Sequence, residues 1–174
     1  MKRLLTLLLA AIVIVGATDA SAQRRSFTGY HGEVFVAGSY GLSEVATHAL
    51  SLHTVQGMSF GECLTAGIGF GVDANTWTLD DMDSDLDFWV PIYADFKAYA
   101  PTRGKVDPFV ALDLGGAFSV TNEDLGGLYI SSGLGFRVGA FMWSINYRLQ
   151  QLSPRGSNVA VNTHGVQLRL GLAF

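Results

Sequence analysis

From residue 28 to the end of the chain, large apolar side chains recur at every second position in eight separate stretches. Successive side chains of an extended strand point to opposite faces, so this period predicts strands with one apolar face. No 3.6-residue period competes with it. The stretches cover residues 28–40, 47–56, 62–73, 88–100, 107–120, 127–138, 141–153 and 163–174. The last shows the pattern most fully: Val166, Leu168, Leu170, Leu172 and Phe174 share one face, and Gly165, Gln167, Arg169, Gly171 and Ala173 share the other. In the fourth, Phe88, Val90, Ile92, Ala94, Phe96 and Ala98 oppose Trp89, Pro91, Tyr93, Asp95, Lys97 and Tyr99. The intervening segments 41–47, 57–61, 74–87, 101–105, 121–126, 139–140 and 154–162 are read as connections, short ones alternating with longer ones. Such an order predicts an all-β, antiparallel, up-and-down arrangement of eight strands.

Volume and charge decide which face is inside. An eight-stranded barrel has an interior just wide enough for side chains to fill it. The aliphatic face carries most of the bulk and would overfill that space, whereas the opposite face is rich in Gly, Ala and Ser. Along the cores of all eight stretches the aliphatic face also lacks Asp, Glu, Lys and Arg, as a lipid-facing wall requires. Glu33, Asp95, Asp113, Lys97, Arg137, Arg148 and Arg169 fall on the other face. Three acids against four bases nearly cancel, which predicts a lumen network of ion pairs, with His53 as a further candidate member. The expected fold is therefore an eight-stranded antiparallel transmembrane β-barrel with a plugged lumen.

The N-terminus agrees with export. Lys2 and Arg3 precede an apolar run over residues 4–15, and Ala20-Ser21-Ala22 offers a small-residue cleavage site. This order reads as a cleaved signal peptide over 1–22, the apolar run being too short to span a bilayer, and leaves the barrel as one domain over 23–174. With a formal net charge of −4, the chain has no electrostatic reason to bind nucleic acid. Its one cysteine, Cys63, excludes an internal disulfide and is expected to be a buried, inert thiol.

The closing strand that ends on Phe174 resembles the last strand of small bacterial outer-membrane barrels of the OmpA/OmpX type. The stretches His53-Thr54-Val55-Gln56-Gly57, Val90-Pro91-Ile92-Tyr93-Ala94-Asp95-Phe96-Lys97 and Gly133-Leu134-Gly135-Phe136-Arg137 are similar to recurrent features of such domains. The resemblance implies that Phe174 is a signal to the barrel-insertion machinery. It also implies an outer-membrane location, outer-membrane lipid and lipopolysaccharide as surroundings, and a monomer without a cofactor. Both termini would lie on the periplasmic side, with the connections after strands one, three, five and seven outward.

Three candidate sites arise on this frame. The acidic loop with Asp80, Asp81, Asp83, Asp85 and Asp87 has the alternate spacing that opens a calcium loop. Leu86 stands where the sharp turn needs Gly, however, and Ile92 where a bidentate Glu should close the site. A solvated surface loop that attracts divalent cations is the simpler reading. Some small outer-membrane barrels are lipid A deacylases or acyltransferases, and the deacylase pattern places a Ser two residues after its His. Here His31, His48, His53 and His164 are followed at that spacing by Glu33, Leu50, Val55 and Val166, although Ser43 and His48 share one loop region. A pore is disfavoured by Tyr93, Tyr99 and Tyr129 on the lumen face, and Trp89 and Trp143 are expected as rim aromatics. The expectation is a non-enzymatic membrane protein, structural or surface-binding, with a lipid-modifying enzyme as the alternative.

Overall fold

A computed structural model describes residues 28–43, 46–78, 86–100, 102, 105–121, 125–154 and 161–174. The expected signal peptide over 1–22 lies outside the described residues. Eight strands, β1 (Thr28–Gly41), β2 (Ala46–Phe60), β3 (Leu64–Thr78), β4 (Leu86–Tyr99), β5 (Val106–Ser119), β6 (Leu125–Val138), β7 (Phe141–Pro154) and β8 (Val161–Ala173), follow one another around a closed barrel. Every neighbouring pair is antiparallel, and β1 closes against β8 from Glu33↔Ala173 to Gly41↔Gly165. Closure leaves no unpaired edge, so the backbone hydrogen bonds are satisfied within the wall as a bilayer demands.

The aliphatic face is the outside. Val36, Leu50, Ile68, Ile92, Leu134 and Leu172 are exposed, and the other large apolar residues of the same parity in the described strands are exposed or half-buried. No outward position of the described strands holds Asp, Glu, Lys or Arg. The inward face holds Glu33, Asp73, Asp95, Lys97, Asp113, Arg148 and Arg169, all buried. Placed in water, this barrel would expose a charge-free apolar wall, which is the physical reason for a membrane. The protein should stay with membranes through a carbonate wash and migrate faster unboiled than boiled. Recovery in the soluble fraction would overturn this assignment.

Several strands run past their expected ends. β2 continues through Gly57 to Phe60, and the turn falls at 61–63, with Gly61 at φ 68°. Gly57 serves a different purpose from a turn: a Cβ there would come within 2.2 Å of the Ala66 carbonyl, so its lack of one lets β2 and β3 approach. β3 runs to Thr78 because its polar tail is paired on both sides, with Ala46↔Thr78 on β2 and Thr76↔Leu86 on β4. The segment between β3 and β4 is thus 79–85, shorter than the expected 74–87. Cys63 sits in the β2–β3 turn and is exposed, which corrects the buried thiol expected from composition. The turn between β6 and β7 is the expected one, with Gly139 at φ 62°.

The chain end completes the wall. Gly32 and Phe174 exchange two backbone hydrogen bonds of 2.9 Å, continuing the β1–β8 ladder by one pair. The Phe174 ring lies over Gly32, where a Cβ would come within 2.4 Å of it. Gly32 is therefore the seat of the terminal aromatic, with the Tyr30 ring beside it at 6.3 Å.

Candidate functional site: a charged lumen plug

The lumen is filled by three connected groups of side chains, each projected inward by the period of its own strand. In the first, His31 Nε2 lies 2.6 Å from Glu33 Oε1, and Lys97 Nζ lies 2.9 Å from Glu33 Oε2. Lys97 also donates to both Asp95 oxygens, at 2.7 and 2.6 Å. β4 and β5 set Asp95 directly opposite Asp113. Two carboxylates so placed repel, and Lys97 on one side and Arg169 on the other offset that repulsion. Arg169 pairs with Asp113 at 2.6 Å and donates to Ser131 Oγ at 2.6 Å and Gln167 Oε1 at 2.8 Å. Its guanidinium also lies over the Phe35 ring, 4.9 Å from the centroid.

The second group centres on Asp73. His53 Nε2 lies 2.7 Å from one oxygen and Arg148 donates to the other at 2.8 Å. His53 Nδ1 is 3.0 Å from the Tyr93 hydroxyl, and Arg148 reaches Gln150 Oε1 as well. The Tyr93 and Tyr129 rings, 5.3 Å apart, link this group to the first, because Arg169 reaches the Tyr129 hydroxyl at 3.4 Å. Room for the imidazole and the phenol comes from β3: a Cβ at Gly69 would meet the Tyr93 ring at 2.2 Å, and one at Gly71 the His53 ring at 2.3 Å. The third group is Asp87, which accepts from Trp89 Nε1 at 2.6 Å and from Ser119 Oγ at 2.8 Å.

The structure brings six of the seven expected lumen charges into these groups: Glu33, Asp95, Lys97, Asp113, Arg148 and Arg169. Arg137 stands apart. Its Nε donates to the Gly139 carbonyl at 2.8 Å in the β6–β7 turn, and the register places Asp107 opposite it, with Asp113 opposite Ser131. Asp113 and Arg137, both on the inward face of adjacent strands, are therefore not partners across the β5–β6 pair. His53 is a full member of the plug. Asp87 belongs to the lumen rather than the acidic loop, since β4 begins at Leu86 and turns Asp87 inward. Asp80, Asp81, Asp83 and Asp85 lie outside the described residues. Trp89 is completely buried in the plug, not at the rim, while Trp143 is on the outer wall against Phe136 at 5.0 Å.

Asp73 and His31 were missed. Asp73 continues the inward series Thr65, Gly67, Gly69 and Gly71, so extending the period by one step would have found it. Among the described residues the buried set holds five acids, Glu33, Asp73, Asp87, Asp95 and Asp113, against Lys97, Arg148 and Arg169. That shortfall of cations explains why His31 and His53 are both hydrogen-bonded to carboxylates.

No family model and no curated protein sequence matches the chain. Among solved structures it is similar to the outer membrane enzyme PagL, with a TM-score of 0.56, 13% identity, and coverage of 80% of this chain and 97% of that one. It is similar to Neisserial surface protein A (NspA), also at 0.56, with 15% identity and coverage of 85% and 98%. The chain has the fold of the small eight-stranded outer-membrane β-barrels, and its charge-free wall is the surface that such a barrel presents to lipid.

Proposed function

We propose that this protein is a non-enzymatic, monomeric outer-membrane barrel, structural or surface-binding, whose lumen is a closed plug. The observation that carries the reading is the continuity of the lumen groups. Trp89, Tyr93 and Tyr129 fill the cross-section, and the charges around them are spent on one another. A gap bordered by Glu33, Lys97, Phe109 and Arg169 has about 20 Å³, room for about one water. A side-chain plug of this kind stiffens the wall and leaves no path for solutes. Fold alone does not separate this reading from a lipid-modifying enzyme, since the same fold carries the outer membrane enzyme PagL. What supports the plug is that the buried imidazoles are occupied: His31 by Glu33, and His53 by Asp73 and Tyr93. Mass spectrometry of lipid A from cells with and without the gene should show identical acylation. A change in acyl number would favour the enzyme instead.

Surface binding then belongs to the connections at the end away from the termini: 42–45, 79–85, 120–124 and 155–160. The termini end carries 61–63, 100–105 and 139–140. Facing the termini inward toward the periplasm puts the acidic 79–85 segment at the cell surface, where it would attract divalent cations. An epitope inserted between Asp81 and Met82 should be stained on intact cells. Cys63, exposed in the opposite turn, should react with a bulky maleimide only after the outer membrane is opened. The reverse pair of results would invert the topology.

A further inference from the structure

The outer wall is uneven near the end away from the termini. Tyr40 on β1 and His48 on β2 have ring centroids 4.7 Å apart, and Tyr147 on β7 and His164 on β8 have centroids 6.1 Å apart. The register joins the two pairs, because Tyr40 and Tyr147 are both partners of Val166 and so flank β8 at one level. His164 is one outward step further along β8, and its carbonyl accepts from the Leu42 backbone at 2.8 Å. Four rings with polar tips therefore share one side of the barrel. On the far side, β4 to β6 end in Phe88, Phe118 and Leu128, which offer no donor.

One outward step from Tyr40 toward mid-wall is Gly38. It is exposed, and a Cβ there would meet nothing within 4 Å. Its register partners are Leu50 on β2 and Leu168 on β8, and Leu50, at 70%, is the most exposed of the large apolar wall residues described. The wall thus dips between two leucines, directly beneath the rings.

We propose that this face holds one lipid of the surrounding leaflet whose headgroup carries a net-negative phosphate monoester. Its headgroup is taken by the ring donors of Tyr40, His48, Tyr147 and His164, and one acyl chain lies over Gly38 between Leu50 and Leu168. The site rests on the outer-membrane reading and deepens it by naming a partner. Imidazole N–H and phenol O–H groups donate to phosphate oxygens. Amphipathic rings settle where hydrocarbon gives way to headgroups, so the two features lie at the depths that the two ends of one lipid occupy. A protein partner would meet a leucine-walled trough within the apolar band, where the surrounding solvent is lipid.

The test uses refolded full-length mature protein in detergent, with diphosphoryl lipid A added and retention read by native mass spectrometry. The wild type should keep one lipid A, in preference to phosphatidylcholine. Combining His48→Ala with His164→Ala should lower retention about tenfold, the scale expected for losing two hydrogen-bond donors. Gly38→Leu should lower it comparably by filling the trough, and it adds its side chain in open space away from the lumen. Phe118→Leu on the far wall should change nothing. Each variant is first checked for its unboiled gel shift, which reports a closed barrel. Equal retention by all folded variants, or equal retention of phosphatidylcholine, would overturn the site. Loss of acyl mass from the retained lipid, abolished by the histidine pair, would support the site and overturn the non-enzymatic reading. Extraction of the protein from cells by carbonate would remove the membrane reading itself, a result read separately from retention.

Discussion

Lys97→Ala should lower the stability of the barrel by about 3–5 kcal/mol, the scale for removing one partner of a buried ion pair. Lys97 is the cation shared by Glu33 and Asp95, at 2.9 and 2.6 Å, and all three side chains are buried. Without it, Asp95 faces Asp113 across the β4–β5 ladder with no ammonium between Asp95 and Glu33. Arg169 continues to neutralise Asp113, and His31 continues to bond Glu33, so the fold should weaken rather than vanish. The measurement is the urea midpoint of protein refolded into lipid vesicles. Coupling is the sharper criterion: Lys97→Met combined with Glu33→Gln and Asp95→Asn should recover much of the loss, because the orphaned charges go with their partner. Arg148→Ala should act in the same direction on Asp73, moderated by His53 on its other oxygen. Wild-type midpoints for both single variants would show that the network does not hold the barrel together.

The other large effect is expected at Trp89. Its side chain is fully buried, and its Nε1 donates to Asp87 at 2.6 Å. Trp89→Ala removes the bulk from the part of the plug nearer the loops and should cost about 3–5 kcal/mol, as large-to-small aromatic truncations do. Trp89→Phe keeps most of the volume and loses only the donor to Asp87, which Ser119 still serves at 2.8 Å. That variant should cost about 1–3 kcal/mol, the penalty for one unmade buried hydrogen bond. The gap between the two variants isolates volume from hydrogen bonding. If both unfold at the same denaturant concentration, Trp89 contributes its indole nitrogen and not its bulk.

Trp89 also shows where reading the sequence stopped short. Its parity put it on the inward face, beside Tyr93 and Asp95. An expectation about interfacial aromatics then moved it to the rim. The structure returns it to the inward series, because period two continues to the start of β4 at Leu86. Asp87 was lost by starting that strand after the acidic run, and Asp73, inside the 62–73 stretch, by stopping its inward series at Gly71. Within a closed barrel both neighbours keep offering hydrogen bonds, so a polar stretch stays extended past the point where its own propensity would end it. Cys63 failed for the opposite reason. Gly61, at φ 68°, turns the chain before residue 63, so the cysteine lies in a turn and not at a strand's inward position.

What the sequence determined by itself was everything that depends on period and bulk. Eight strands, the parity of each residue, and the outward placement of the aliphatic face follow from alternation and from the volume an eight-stranded lumen can hold. Which charges meet was decided only by the tertiary structure. Sliding a strand by two residues preserves every inward and outward assignment yet exchanges every partner, so alternation is blind to it. Register set Asp107 and not Asp113 opposite Arg137, and placed Asp95 against Asp113. Closure of β1 on β8 put strands distant in sequence around one lumen, where Arg148 of β7 meets Asp73 of β3 and Lys97 of β4 meets Glu33 of β1. Those pairings span the barrel interior, and no local pattern along the chain encodes them.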